Sequence, residues 1–240
     1  MKQLIALLLL STVLFSSCQK STINQPATTV STDNLQTLSI DDGLLYHFKL
    51  DGDLLDYSGN NYNAGLQKGN ERYVTGHEGD TSIKGMKFTK NMVLMAPNHF
   101  VFQKTDSFTV SIWYKVGAIN NSGRLLSTEA PEGNFRIVMS LDGKPVVGFA
   151  GFSLSDTTAA KKQWVNLVYT YNNHVGALYH NGILVASGTG TDNEALSYGS
   201  LLGLGVKSDI AYDRFIGTMQ DIRIYNRAIT GDEITYLATH

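Results

Sequence analysis

The chain has 240 residues, 19 Lys and Arg against 21 Asp and Glu, and a formal net charge of −2. With charges so balanced and no basic block beyond Lys161-Lys162, there is no electrostatic footprint for nucleic acid. Cys18 is the only cysteine, which excludes an intramolecular disulfide and leaves the fold to be held by its core.

The first residues are Met1-Lys2, an apolar run from Leu4 to Phe15, and then Ser16-Ser17-Cys18. This is the layout of a secretory signal over residues 1–17, too short to span a bilayer as a mature helix. Small residues directly before a lone cysteine resemble a bacterial lipobox, although Phe15 stands where that motif usually has Leu. Lipidation would make Cys18 the mature N-terminus. Residues 18–39 are rich in Ser, Thr, Asn and Gln, have no hydrophobic period, and read as a flexible tether. The expectation is a domain held by lipid on a bacterial cell envelope. Gln19, where an aspartate would favour retention at the inner membrane, points to the outer one.

Residues 40–240 read as one β domain, a size that all-β sandwiches commonly reach. In Phe108-Thr-Val-Ser-Ile-Trp-Tyr-Lys-Val, residues Phe108, Val110, Ile112, Tyr114 and Val116 face one way and Thr109, Ser111, Trp113 and Lys115 the other. Further strands are predicted over Arg136 to Leu141, Val146 to Phe149, Val165 to Tyr171, Ala177 to His180, Ile183 to Ala186 and Met219 to Tyr225. Asp142-Gly143, Asn172-Asn173 and Asn181-Gly182 supply turns, and Asn-Gly between two β runs is a strong hairpin signal. The helical period appears only after Thr230, which can cap a short helix with Glu233 reaching back to the cap amide and Ile234 and Leu237 on its apolar side. The sum is an all-β, two-sheet antiparallel jelly-roll sandwich with a short C-terminal helix, in which the first and last strands pair.

Five stretches carry a resemblance to a known family. They are Tyr46-x-Phe48 with Asp51-Gly52 and Asp56-x-Ser58-Gly59-Asn60, the run Phe108 to Trp113, Trp164 with its following strand, the hairpin around Asn181-Gly182, and Gly217-x-x-x-Asp221-Ile-Arg-Ile-Tyr-Asn-Arg227-Ala. In this order they resemble the laminin-G-like branch of the concanavalin A-like lectin/glucanase superfamily. The resemblance implies the jelly roll, but such folds host many functions. It also implies a structural calcium ion where the first and last strands meet, for which Asp51, Asp56 and Asp221 are the candidate ligands. The other reading of the same residues is an Asx-type turn at Asp56 to Asn60, with Asp221 paired to a basic neighbour. Both stay open at this point.

The superfamily includes glucanases, whose retaining mechanism needs two carboxylates about 5 Å apart. The alternating E-x-D-x-E strand that supplies them is absent, and the six glutamates stand apart. Asp51 and Asp53 have the spacing but lie in a Gly-containing turn. There is no G-x-S-x-G, phosphate loop or zinc pattern, and the six histidines are scattered, each expected at the surface or in a turn. No enzyme is expected. Sugars stack their apolar faces on aromatic rings, so Trp113, Tyr198 and Tyr212, with Arg124, are the carbohydrate-binding candidates, and Tyr62, Tyr73 and Arg214 belong to the same rim set. The function expected is a non-catalytic, lectin-like module for a polysaccharide or glycan. The alternatives are a protein-interaction or adhesion domain, with envelope proteins as partners, and a divergent glycoside hydrolase.

Overall fold

A computed structural model describes residues 39–117, 123–128, 135–149, 151–158, 162–190, 198–207 and 213–240. Cys18, Tyr212 and the signal and tether segments lie outside these residues. Among those described, fifteen strands form two antiparallel sheets. One sheet runs β13 (Ile183–Thr189), β12 (Val175–His180), β11 (Trp164–Asn172), β6 (Ser107–Val116), β15 (Gly217–Tyr225), β4 (Lys84–Phe88), β3 (Tyr73–Thr75), with β1 (Leu44–Phe48) also paired to β15. The other runs β10 (Phe152–Ser155), β9 (Pro145–Phe149), β8 (Arg136–Met139), β7 (Gly123–Ser127), β14 (Leu201–Leu204), β5 (Val93–Pro97), β2 (Gly65–Lys68). Helix α1 (Gly231–Thr239) closes the chain.

The alternation read from the sequence decides which side chains fill the space between the sheets. Phe108, Val110, Ile112 and Tyr114 of β6 and Leu167, Tyr169 and Tyr171 of β11 are buried in one core with Phe135 and Phe149 from the facing sheet. Phe108 lies at its middle, 4.9 Å edge-on to Phe149 and 5.3 Å from Tyr171. Each such aromatic contributes roughly 1.5–3 kcal/mol by leaving water, and edge-to-face contacts add to it.

The last strand is central. β15 pairs with β6 along one side, while its other side is shared: Gly217 to Met219 pair with β4, and Ile222 to Tyr225 pair with β1. The exchange of partners happens at Asp221, whose φ is +46° and where the ladder is bulged between Gln220 and Arg223. Asp tolerates this left-handed backbone better than most residues. A bulge re-aims a strand, and here it lets two short strands follow one another along the same edge.

Helix α1 sits on the outer face of this sheet, with Ile229, Ile234 and Leu237 packed on Leu44, Val168 and Tyr225. Its start is the predicted capping box: Thr230 Oγ1 accepts from the Glu233 amide at 3.3 Å, and Glu233 Oε2 accepts from the Thr230 amide at 2.7 Å. Arg227 adds a two-pronged bond to the Glu233 carboxylate, at 2.6 and 2.9 Å, and donates to the Ser39 and Asp42 carbonyls. These bonds from Arg227, helped by the cap and opposed by burial, lower the Glu233 pKa to about 2. A depressed carboxyl pKa stabilises the fold fully above the unfolded value near 4.5 and loses that contribution as pH falls toward 2. Glu233→Gln is expected to cost about 1–2 kcal/mol at pH 7 and to flatten the fall in melting temperature between pH 4.5 and 2. An unchanged acid slope in the variant would show that the clamp does not contribute.

Candidate binding surface

The outward residues of the eight-stranded sheet are Trp164, Asn166 and Val168 on β11, Ser111, Trp113 and Lys115 on β6, and Thr218, Gln220, Arg223 and Tyr225 on β15, aligned strand to strand by the register. Helix α1 covers one end of this face. At its margin the Trp113 indole N–H donates to the Leu237 carbonyl at 3.1 Å. The His77 ring then lies flat on Trp113, 4.0 Å away and 2° from parallel, and edge-on to Trp164 at 6.2 Å.

His77 is fixed from both sides. Its amide donates to Gln220 Oε1 at 2.9 Å, Gln220 Nε2 donates to Glu78 at 3.1 Å, and the imidazole Nε2 is 3.1 Å from the same carboxylate. Burial lowers the imidazole pKa below its usual value, with the Glu78 and Asp221 charges opposing that fall. A neutral ring stacked on indole is the consequence.

Beyond Trp164 the face is open. The register aligns Trp164, Lys115, Thr218 and Lys87 in one row across β11, β6, β15 and β4. The Lys115 ammonium sits over the Trp164 ring, 4.9 Å from its centre. Trp164 can lie against the sheet because Gly85 is beneath it: a Cβ there would come within 3.0 Å of the indole and of the Thr218 methyl. This end of the face is a groove of about 460 Å³, lined by Lys87, Lys115, Lys162, Thr218, Val74 and Ile216 among others.

The model of the concanavalin A-like lectin/glucanases superfamily matches residues 88–235. The chain belongs to that superfamily. No curated protein sequence matches it. The superfamily fold recurs in the binding domain of Paraclostridial Mosquitocidal Protein 1, with a TM-score of 0.68, 18% identity, and 83% of this chain aligned to 52% of that one. The botulinum neurotoxin serotype D binding domain gives 0.67 at 16%, over 84% and 52%. The chain thus spans about half the length of these toxin domains. Domain 4 of AbnA, a GH43 extracellular arabinanase from Geobacillus stearothermophilus solved in complex with arabinotriose, gives 0.64 at 23% and covers 81% of this chain and 98% of its own.

Within this superfamily fold the predicted site residues do not gather. Trp113 is only 8% exposed, roofed by His77 and bonded to the helix end, so it serves packing and not an open sugar platform. The Arg124 side chain is 12% exposed, 3.5 Å from Asp213. The half-buried Tyr198 packs against the core and donates its hydroxyl to the Phe102 carbonyl, with burial raising its pKa. Tyr62 stacks on His99 at 3.9 Å. Trp164 and the lysines around the groove were not singled out as a site by sequence, because their proximity exists only through strand register.

The calcium candidates separate in the same way. Asp56 accepts from the amides of His47, Ser58 and Tyr62 and from the Ser58 hydroxyl, which is the Asx-type turn. Asp51 accepts from the Lys84 amide at 2.6 Å, and Asp53 closes its own turn through the Leu55 amide and the Tyr57 hydroxyl. Asp221 is held by His47 Nε2 at 2.7 Å and by Arg223 Nε at 3.1 Å. Burial raises its pKa, but these two partners outweigh burial and leave it below the ordinary value. Among the described residues, no three His, Cys, Asp or Glu side chains come close enough to share an ion, and a carboxylate already paired to a guanidinium is a poor calcium ligand. As arranged here, the three aspartates do not fit calcium. The His47 and His77 side chains are likewise buried, His47 bonded to Asp221 and His77 stacked on Trp113, and are not the surface residues expected from sequence.

The His77 imidazole is expected to titrate below 6.5 when followed by NMR, and His77→Ala to shift tryptophan emission by uncovering Trp113. A midpoint above 6.5 would mean that burial does not dominate its environment.

Proposed function

We propose that the chain is a non-catalytic carbohydrate-binding module, held on a bacterial cell envelope by lipid at Cys18 and facing its ligand with the open half of the eight-stranded sheet. The observation that carries the reading is the groove of about 460 Å³ lined by Lys87, Lys115, Lys162 and Thr218, with the partly exposed Trp164 ring lying under Lys115. An indole edge beside polar and cationic side chains is the combination that sugars require, apolar for their C–H faces and polar for their hydroxyls. The arabinotriose complex of the similarly folded arabinanase domain supports the reading. So do the roles of Asp53 and Asp56 in turns, of Asp221 in an ion pair and of Glu233 in a helix cap. The lipobox resemblance at Ser16-Ser17-Cys18 and Gln19 supports placement at the outer membrane.

A protein-interaction role is the second reading. It rests on the β12 and β13 hairpin, where Val175, Ile183 and Leu184 are 50, 70 and 53% exposed at the edge of the sheet.

Full-length chain in detergent, titrated with neutral and charged polysaccharides, is expected to bind at least one class. Trp164→Ala is expected to weaken that binding about tenfold, the loss of one apolar contact and of the support under Lys115, together about 1.4 kcal/mol. A blank panel from protein that still melts cooperatively would reject the reading and move attention to the hairpin. Labelled fatty acid is expected to enter the wild-type chain in a bacterial host and to be absent from Cys18→Ala; equal labelling of both would remove the anchor.

A further inference from the structure

We infer that the groove beside Trp164 takes an anionic glycan, one whose sugars carry carboxylate or sulfate groups, and not a neutral one. The inference rests on the carbohydrate-binding reading of the same surface and adds the ligand's charge. Among the described residues, three lysines line the groove, Lys87 from β4, Lys115 from β6 and Lys162 from the turn before β11, and no carboxylate does. The ion pairs of the described residues involve none of the three. Among the described residues, the charge-related contact of Lys115 is the Trp164 ring beneath it.

Elsewhere Arg223 is matched to Asp221, Arg227 to Glu233 and Arg124 to Asp213, and the net charge of the chain is −2. Three like charges around one cleft repel one another, and an anion placed among them relieves that repulsion while gaining attraction. Lys87 and Lys115 flank Thr218 on alternate strands, two strand spacings or about 10 Å apart. An extended chain carrying repeated anionic groups meets that spacing better than a single small anion does. Lysine also fits the chemistry. An ammonium is a compact point charge on a flexible stem that pairs with either a planar carboxylate or a tetrahedral sulfate. Val74 and Ile216 in the groove wall, with Trp164 next to Lys115, provide the apolar contact that a sugar ring uses and a bare inorganic anion does not.

The test titrates the full-length chain in a nonionic detergent with polygalacturonate, dextran sulfate, neutral arabinan, single-stranded DNA and vesicles containing anionic phospholipid. Binding to polygalacturonate or dextran sulfate is expected, and the stronger of the two identifies carboxylate or sulfate as the recognised group. Raising salt from about 0.1 M, where charges are felt over about 10 Å, to about 1 M, where the range is about 3 Å, is expected to weaken it more than tenfold. Lys87→Ala with Lys115→Ala is expected to weaken it at least tenfold, Lys115→Arg to restore most of the loss in the single variant, and Lys68→Ala, outside the groove, to leave it unchanged. Each variant's melting temperature separates lost binding from lost folding. Binding to arabinan that ignores both salt and the lysine substitutions would overturn the anionic ligand and leave the carbohydrate-binding module standing. Binding to no glycan would overturn both. DNA or vesicles bound as tightly as the glycans would overturn the inference in favour of a nonspecific cationic surface.

Discussion

The structure depends on the exchange of partners along β15. One continuous strand must hold β6 along its whole length and also accept two shorter strands in succession on its other edge. The left-handed backbone at Asp221 makes this possible, and the side chain of the same residue then secures it, gripping His47 on β1 and Arg223 on its own strand while its amide donates to the Lys49 carbonyl. Asp51 does the complementary work by accepting from the Lys84 amide at the start of β4. Strand β1 and strand β15 are some 170 residues apart in sequence, so this junction closes almost the entire domain. Closing so long a loop costs entropy that grows only slowly with length, and an aligned row of Tyr46, Phe48, Ile222 and Ile224 beneath the junction offsets it.

What the sequence showed of this was uneven, for physical reasons. The long strands β6, β11 and β15 were legible because each alternates over many residues and has one fully apolar face. The helix was legible because a capping box is a local device whose two partners are three residues apart. The short strands β2, β3, β4, β5, β7, β10 and β14 were not. Three to five residues, in some cases interrupted by a glycine as in Lys84-Gly-Met-Lys-Phe, give too little period to distinguish a strand from a loop. They are strands because a longer neighbour templates them.

The site was less legible than the fold. Trp113 is on the outward face, as its alternation requires, but the outward face of this sheet is not the surface of the protein: the chain's last helix and the His77 loop return to cover it. The aspartates near both chain ends do meet the same junction, yet each is satisfied there by an amide, an imidazole or a guanidinium, and no spacing rule announces which. The lysines of the groove are 28 and 47 residues apart in sequence and become neighbours only through the pairing of β4, β15 and β6 and the placement of the turn before β11. That information resides in register, which a single sequence expresses weakly.

One contact has a mechanical meaning. Arg227 grips the Ser39 and Asp42 carbonyls with the same guanidinium that clamps Glu233 at the start of the helix. Tension applied to the chain before Ser39 is therefore shared between this guanidinium, the turn bonds from the Asp42 and Leu44 amides to the Ser39 and Asp41 carbonyls, and Ile40 packed on the helix cluster, before it reaches β1. The residue that orders the closing helix also ties down the approach to the first strand.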